Sequence, residues 1–241
     1  MSNNRIIIAG PCTFTNYEEL YKIASLLKDK GIEYLRAGTF KMRTNPDSFQ
    51  GLRDKGMEIL LKIKKELNMK IVTELTSIEQ VKKYGNDIDI IQIGTRNMYN
   101  YELLKEVGKC NSTILLKRAF SATYEEWINA AEYIKREGNN NIILCERGIR
   151  SFSQETRNVL DLQSIPYIKK NTNYKIIIDP SHASGHSYMV ESMSRAAIAA
   201  GCDGLLLEVH YNPKESICDS EETINMETLE KIIDYNKKNV L

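Results

Sequence analysis

Short apolar runs recur along the chain, and between consecutive runs there are enough residues for one helix. The runs are rich in Ile, Leu and Val with little alternation, which is typical of parallel strands buried on both faces. Between most of them, apolar residues recur at spacings of three and four, the pattern of helices that bury one face. The eight strand-like runs are 5–10, 33–38, 70–75, 89–94, 113–117, 141–146, 175–180 and 204–209.

The helix-like stretches complete an alternating β and α order. Eight such units in 241 residues match the size of one (β/α)8 barrel. We therefore predict an α/β fold, a (β/α)8 (TIM) barrel, as a single domain over residues 1–241. The clearest helical stretches are 17–29, 51–68, 100–107, 123–136, 187–200 and 226–237.

Polar residues with reactive side chains follow the predicted strands directly. The carboxyl ends of barrel strands meet at one mouth, where barrel enzymes carry out their chemistry. Loops with a purely structural role would scatter such residues without regard to strand ends. The set comprises Cys12, Arg36 with Lys41, Glu74, Arg96, Lys117, Arg147, Asp179 with His182, and Glu208.

Four of the residues near this mouth carry donor atoms suited to a metal. Cys12, His182, Glu208 and Asp219 offer a thiolate, an imidazole and two carboxylates, a mixed set that suits Mn, Fe, Co or Zn. A lone histidine such as His182 is more often a packed side chain than a ligand. Asp219 lies in a loop after Glu208, and its spacing fits a surface residue or a helix cap equally well.

Basic residues also gather at the predicted strand ends, and together they indicate an anionic substrate. Planar guanidinium groups suit carboxylates and phosphates, so a substrate with several anionic groups is expected. Arg118 should point away from Lys117 and is given no role. Glu74 either orients a lysine or a water or simply balances charge. The basic set is Arg36, Lys41, Arg43, Arg96, Lys117 and Arg147.

Composition narrows the class of protein. The chain has 33 basic and 32 acidic side chains, which argues against nucleic acid or a membrane surface as its partner. It shows no long apolar span and no signal peptide. Its five cysteines have no CxxC spacing, so we expect a reduced, cytoplasmic protein in which Cys145 and Cys202 are core residues.

Ordered motifs over almost the whole length resemble the type I 3-deoxy-D-arabino-heptulosonate 7-phosphate (DAHP) synthases. The similarity is to their beta subgroup, which is close to the 3-deoxy-D-manno-octulosonate 8-phosphate synthases. The motifs are AGPC (9–12), LRAGTFKMRTNPDSFQG (35–51), IQIGTRN (91–97), LLKRAFSATYEEW (115–127), ILCERGIRSF (143–152), TRNVLDL (156–162), DPSHASG (179–185), SRAAIAAGCDGLLLEVH (194–210) and CDS (218–220).

The resemblance implies a metal-dependent condensation of phosphoenolpyruvate with erythrose 4-phosphate, the first step of the shikimate pathway to aromatic amino acids. It implies Lys41, Cys12 and His182 as catalytic residues, and Arg43 with Thr44 as contacts of the aldose phosphate. It also favours Asp219 as a ligand. The implied metal ligands are Cys12, His182, Glu208 and Asp219, and the implied substrate-binding residues are Arg36, Lys41, Arg43, Thr44, Glu74, Arg96, Lys117, Arg147 and Asp179.

Two alternatives stay open at this point. One residue separates Lys41 from Arg43, as in the heptulosonate enzymes, whereas the octulosonate enzymes, which use arabinose 5-phosphate, have two. Met42 stands where the family usually has proline, so a less rigid loop is expected. The second alternative is a non-catalytic homologue that binds anions.

The resemblance also bears on organisation and assembly. We expect no N-terminal regulatory extension and no fused chorismate mutase, so feedback inhibition would need a separate protein. A homo-oligomer, dimer or tetramer, is expected.

Overall fold

Eight parallel strands form a closed barrel in which each strand pairs with its neighbours in sequence and β8 pairs with β1. The computed structural model describes residues 5–239. The predicted (β/α)8 fold and all eight predicted strands are confirmed. The strands are β1 (Ile6–Gly10), β2 (Tyr34–Arg36), β3 (Lys70–Glu74), β4 (Ile90–Ile93), β5 (Thr113–Lys117), β6 (Ile142–Glu146), β7 (Lys175–Ile178) and β8 (Gly204–Glu208).

Helices surround the barrel, and the six predicted helical stretches are all confirmed. Three short helices, Ile78–Tyr84, Ser164–Asn171 and Pro180–Ser184, were not among those stretches, because so few residues rarely display a helical apolar period. None of the helices within residues 5–239 has the length and apolar character needed to cross a bilayer. The helices are α1 (Tyr17–Asp29), α2 (Arg53–Leu67), α3 (Ile78–Tyr84), α4 (Tyr101–Val107), α5 (Tyr124–Arg136), α6 (Ser164–Asn171), α7 (Pro180–Ser184), α8 (Ser187–Ala199) and α9 (Met226–Lys238).

The apolar core has two layers because alternate strand residues face opposite sides of the sheet. One layer lies between strands and helices and includes Trp127, whose indole N–H donates to the carbonyl of Leu116 at 3.1 Å. The other layer fills the barrel interior. It consists of Ile8, Val72, Ile90, Leu115, Ile143, Cys145, Ile177 and Leu206.

Gly10 allows the first two strands to approach closely at the mouth. Its φ is +150°, and a Cβ atom there would lie 2.1 Å from the carbonyl oxygen of Arg36. Only glycine fits this close contact between backbones. The chain then turns through Pro11 into Cys12, which places the Cys12 thiol over the end of the barrel.

Candidate functional site

The alternation of side chains along the strands determines which predicted site residues face the barrel mouth. A residue two positions after an inward-facing residue lies on the same face of the strand. Leu115 and Leu206 fill the barrel interior, so Lys117 and Glu208 face the mouth. The same offset applies to Arg36, Glu74, Arg147 and Asp179, which follow Tyr34, Val72, Cys145 and Ile177.

A cavity of about 200 Å³ opens at this mouth. Glu208 and Asp179 are not among its lining residues; they lie directly beneath it, buried. Gly94 also lines it, where a Cβ would lie 2.1 Å from Oε1 of Glu74, so the glycine leaves room for that carboxylate. Eleven predicted residues line the cavity: Cys12, Arg36, Lys41, Arg43, Thr44, Glu74, Arg96, Lys117, Arg147, His182 and Asp219.

The four predicted metal ligands converge beside this cavity. One donor atom from each of Cys12, His182, Glu208 and Asp219 lies within 4.8 Å of the other three. The Cys12 thiol lies 2.6 Å from Oδ2 of Asp219, and Nε2 of His182 lies 3.2 Å from Oε1 of Glu208. The loop after β8 therefore folds back over the mouth and brings the Asp219 carboxylate to the other three predicted ligands.

This cluster fits a divalent cation. Oε2 of Glu208 is buried and has no hydrogen-bond partner among the described residues, and such an orphaned acceptor is costly without a cation. A hydrogen bond with Cys218, burial and the charge of Glu208 together raise the pKa of the Cys12 thiol. A cation reverses this effect because it stabilises thiolate and carboxylates together.

His182 is oriented by Asp179, which lies at the start of the short helix α7. The Asp179 side chain accepts a hydrogen bond from the backbone N–H of His182 at 3.0 Å, and its Oδ2 lies 2.7 Å from Nδ1. Burial alone would raise the pKa of the Asp179 carboxyl, but the charges of His182 and Lys117 hold it well below its ordinary value. The ring therefore presents Nε2 to the cluster, as metal-binding histidines do.

Two cations at the mouth compensate the acidic cluster. Arg36 donates to Oε1 of Glu208 at 2.5 Å. The Lys41 ammonium contacts the Cys12 thiol and lies 3.4 Å from Oδ2 of Asp219. Burial would lower the pKa of Lys41, but the charges of Cys12, Glu208 and Asp219 raise it, so Lys41 is a stable ammonium here.

Two further basic residues of the cavity, Arg96 and Arg147, lie around the ring of Phe120 together with Arg150 from outside it. The guanidinium carbons of Arg96 and Arg147 lie 5.8 and 4.9 Å from its centroid, and that of Arg150 lies 4.7 Å away. The face of an aromatic ring attracts cations, so it helps to hold like charges together. Arg43 lies near the cluster instead, 2.8 Å from the sulfur of Cys218.

Arg118 points away from the cavity, as predicted from strand alternation. Its guanidinium group is buried and bridges Glu146 and Asp161 at 2.9 and 2.8 Å. This network lies behind Lys117 and Arg147 and supports the two strand ends. Cys145 and Cys202 are buried core residues, also as predicted, and all five cysteines are free.

Sequence reasoning did not single out several residues of the site, chiefly Phe120, Arg157 and Cys218. Arg157 lies far beyond the end of β6, so no strand-end signal marks it. Phe120 follows β5 by three residues and is apolar, so a search for reactive side chains passes over it. Cys218 precedes Asp219 directly, and its nearness to a candidate ligand was the available signal.

The fold and this cavity together define a (β/α)8-barrel enzyme with a four-donor cluster beside a cationic pocket. Residues 2–240 match the model of the DAHP synthetase I family, and the chain belongs to that family. The resemblance drawn from the sequence motifs is thus confirmed.

Individual relatives agree with this assignment. The chain is 43% identical to a phospho-2-dehydro-3-deoxyheptonate aldolase of Thermotoga maritima, over 96% of this chain and 69% of the relative. It is 30% identical to a 2-dehydro-3-deoxyphosphooctonate aldolase of Geobacter sulfurreducens, over 95% of this chain and 89% of the relative. The crystal structure of the Thermotoga maritima DAHP synthase superposes with a TM-score of 0.93 at 43% identity, over 97% of this chain and 68% of that one. A truncated form of the same synthase superposes with a TM-score of 0.89 at 39% identity, over 97% of this chain and 86% of that one.

Proposed function

We propose that this protein condenses phosphoenolpyruvate with erythrose 4-phosphate and water to give 3-deoxy-D-arabino-heptulosonate 7-phosphate and phosphate. The observation that carries the proposal is the four-donor cluster of Cys12, His182, Glu208 and Asp219 at the edge of a cavity lined by basic side chains. The relative named for the heptulosonate reaction is 43% identical, against 30% for the octulosonate relative. That difference, together with the Lys41–Arg43 spacing, favours erythrose 4-phosphate.

The basic residues of the cavity hold the anionic groups of the two substrates. We assign Arg36, Arg96, Lys117 and Arg147 to the phosphate and carboxylate of phosphoenolpyruvate, and Arg43 with Thr44 to the aldose phosphate. These contacts hold the reacting carbons close together, which removes much of the entropic cost of a bimolecular step. Asp179 is buried beneath the cavity, so we assign it to orienting His182 and Lys117 rather than to substrate contact.

The metal would be held by Cys12, His182, Glu208 and Asp219. When bound there, a divalent ion would supply Lewis acidity toward the aldehyde oxygen or the attacking water. The mixed sulfur, nitrogen and oxygen donors would suit Mn, Fe, Co or Zn.

Lys41 is the proton donor of the reaction. Carbon 3 of phosphoenolpyruvate attacks the aldehyde carbon of erythrose 4-phosphate, and the aldehyde oxygen takes a proton from the Lys41 ammonium. Water adds to carbon 2 of phosphoenolpyruvate and returns one proton to Lys41. The bond from carbon 2 to the phosphate oxygen then breaks, which leaves a ketone, and the phosphate departs with the second proton of the water. Glu74 lines the cavity, and we assign it to hold this water.

The proposal is tested by following phosphoenolpyruvate consumption with metal-stripped protein. Erythrose 4-phosphate or arabinose 5-phosphate is supplied, before and after addition of Mn²⁺, with Cys12→Ala as the matched variant. Consumption restored by Mn²⁺ with erythrose 4-phosphate, and absent in Cys12→Ala, supports the proposal. Consumption only with arabinose 5-phosphate would assign the octulosonate reaction, and consumption with neither aldose would contradict both. The expected homo-oligomer and cytoplasmic location remain predictions.

A further inference from the structure

Arg157 reaches the four-donor cluster from a loop that supplies none of its ligands. It lies in the segment between β6 and α6, lines the cavity, and its Nη1 donates to Oε1 of Glu222 at 2.7 Å. The same nitrogen lies 3.9 Å from Oδ1 of Asp219. Arg157 thus links the β6 loop to the β8 loop that carries Asp219.

Asp219 depends on contacts with surrounding residues because its own backbone conformation is unfavourable. Its φ is +55°, in the left-handed region that non-glycine residues adopt at a cost. Its carbonyl oxygen accepts hydrogen bonds from Oγ1 of Thr223 at 2.8 Å and from the backbone N–H of Glu222 at 3.3 Å. Glu222 is therefore tied to Asp219 through the backbone and to Arg157 through its side chain.

The position of Arg157 is itself well fixed. Its backbone N–H donates to the carbonyl of Ser184 at 3.1 Å, and that of Asn158 donates to the carbonyl of Ala183 at 2.8 Å. The Asn158 amide group donates to the carbonyl of His182 at 3.2 Å. Residues 157–158 thus contact two parts of the cluster. They bind the backbone of the segment that carries His182, and they bind Glu222, which is hydrogen-bonded to Asp219.

We propose that Arg157, acting through Glu222, is a positioning residue that holds Asp219 in the geometry required to bind the metal. The guanidinium group places one positive charge between two carboxylates of the same loop, Asp219 and Glu222. Without it the tie from Arg157 through Glu222 to the backbone of Asp219 is lost, and Asp219 is free to relax its strained backbone away from Cys12 and His182. The inference rests on the metal site of the proposed function and adds two residues that support it.

The test is Mn²⁺ binding to metal-stripped protein by calorimetry, without substrates, for Arg157→Gln, Glu222→Gln and the double variant. Partners that orient ligands typically contribute about 10–100-fold to metal affinity, so each single variant is expected to raise the Mn²⁺ dissociation constant by that factor. The double variant is expected to bind no more weakly than the weaker single variant, because each single change already removes one charge of the same ion pair. Arg157→Lys keeps the positive charge but lacks the planar guanidinium group, so its Mn²⁺ dissociation constant is expected to fall between those of wild type and Arg157→Gln.

Arg195→Gln is the matched control, since it breaks an arginine–glutamate pair on the surface of α8, where Nη2 lies 2.5 Å from Oε1 of Glu191. Thermal unfolding of each metal-stripped variant identifies any that does not fold, and Glu222→Gln and Arg157→Lys then test the same link. Unchanged Mn²⁺ affinity in the folded variants, or a raised KM with unchanged affinity, would overturn the inference. Wild type that binds no Mn²⁺ would contradict the proposed metal site itself.

Discussion

Lys117 and Asp179 form a buried ion pair across the mouth of the barrel, with 2.6 Å between Nζ and Oδ2. The same carboxylate oxygen lies 2.7 Å from Nδ1 of His182. One buried aspartate therefore links a residue assigned to phosphoenolpyruvate with a residue assigned to the metal. A change at this position should affect both halves of the site.

Asp179→Asn is expected to weaken Mn²⁺ binding and to raise the KM for phosphoenolpyruvate. Loss of the group that orients a metal-binding histidine typically costs about 10–100-fold in affinity. Calorimetry and steady-state kinetics measure the two effects. The control is Asp203→Asn near the opposite end of β7, where the carboxylate accepts from the N–H of Ile176 at 2.8 Å. Wild-type Mn²⁺ affinity in Asp179→Asn would show that His182 does not need this partner.

Lys41→Met is expected to lower kcat by about 10²–10⁴-fold, the usual contribution of a positioned general acid. Metal content should stay intact because the four donor residues are unchanged. Turnover at saturating substrates and metal analysis of the purified variant check both parts. Lys62→Met, at an exposed position on α2, should behave as wild type. Near-normal turnover in Lys41→Met would remove Lys41 from the chemistry.

Met42 makes a contact that bears on the predicted looseness of its loop. Its sulfur accepts a hydrogen bond from the side-chain amide of Asn97 at 3.1 Å, which joins the loop after β2 to the turn after β4. This contact restrains the segment that carries Arg43 and Thr44, although the proline usual at position 42 is absent.

Met42→Leu removes the sulfur acceptor with little change in volume, so it isolates this contact. One hydrogen bond contributes about 1 kcal/mol, which corresponds to a roughly fivefold rise in the KM for erythrose 4-phosphate. Initial rates with erythrose 4-phosphate varied at saturating phosphoenolpyruvate measure the change, and kcat should change little. An unaltered KM for the aldose would mean that the Asn97 contact does not restrain the loop.

Glu146 should make stability depend on pH. Arg118 offers the same Nη1 to Glu146 and Asp161, so it compensates neither carboxylate fully. Burial raises the pKa of Glu146 despite the opposing charge of Arg118. Because the pKa of Glu146 is higher in the folded protein than in the unfolded chain, ionisation of Glu146 opposes folding. The contribution of Glu146 to the free energy of unfolding therefore falls as the pH rises from the unfolded pKa, about 4.3, through the folded pKa.

The stability advantage of wild type over Glu146→Gln should therefore shrink between pH 4.5 and 7.5. Urea unfolding of the metal-stripped proteins at both pH values gives the free energies of unfolding. Glu125→Gln, exposed in the first turn of α5, is the control for a glutamate outside the network. If the stability advantage of wild type over Glu146→Gln grew with pH instead, the fold would stabilise the charged form of Glu146.

Local periodicity was enough to predict the barrel and the strand-end residues. Uniformly apolar runs predict strands buried on both faces, and the two-residue period places Lys117 inward and Arg118 outward. The same rule brings Arg36, Asp179 and Glu208 to one mouth, because parallel strands all end there. These properties depend on neighbouring residues in the chain, so the sequence alone determined them.

Tertiary structure decided how the loops meet. The spacing of Asp219 left its role open, and only the fold shows that its carboxylate returns to the Cys12 thiol. The link from Arg157 through Glu222 spans 65 residues, and the contact between Met42 and Asn97 spans 55. Loop conformations depend on contacts with distant segments, which no local period encodes, and the cluster and its supports therefore became visible only in the folded chain.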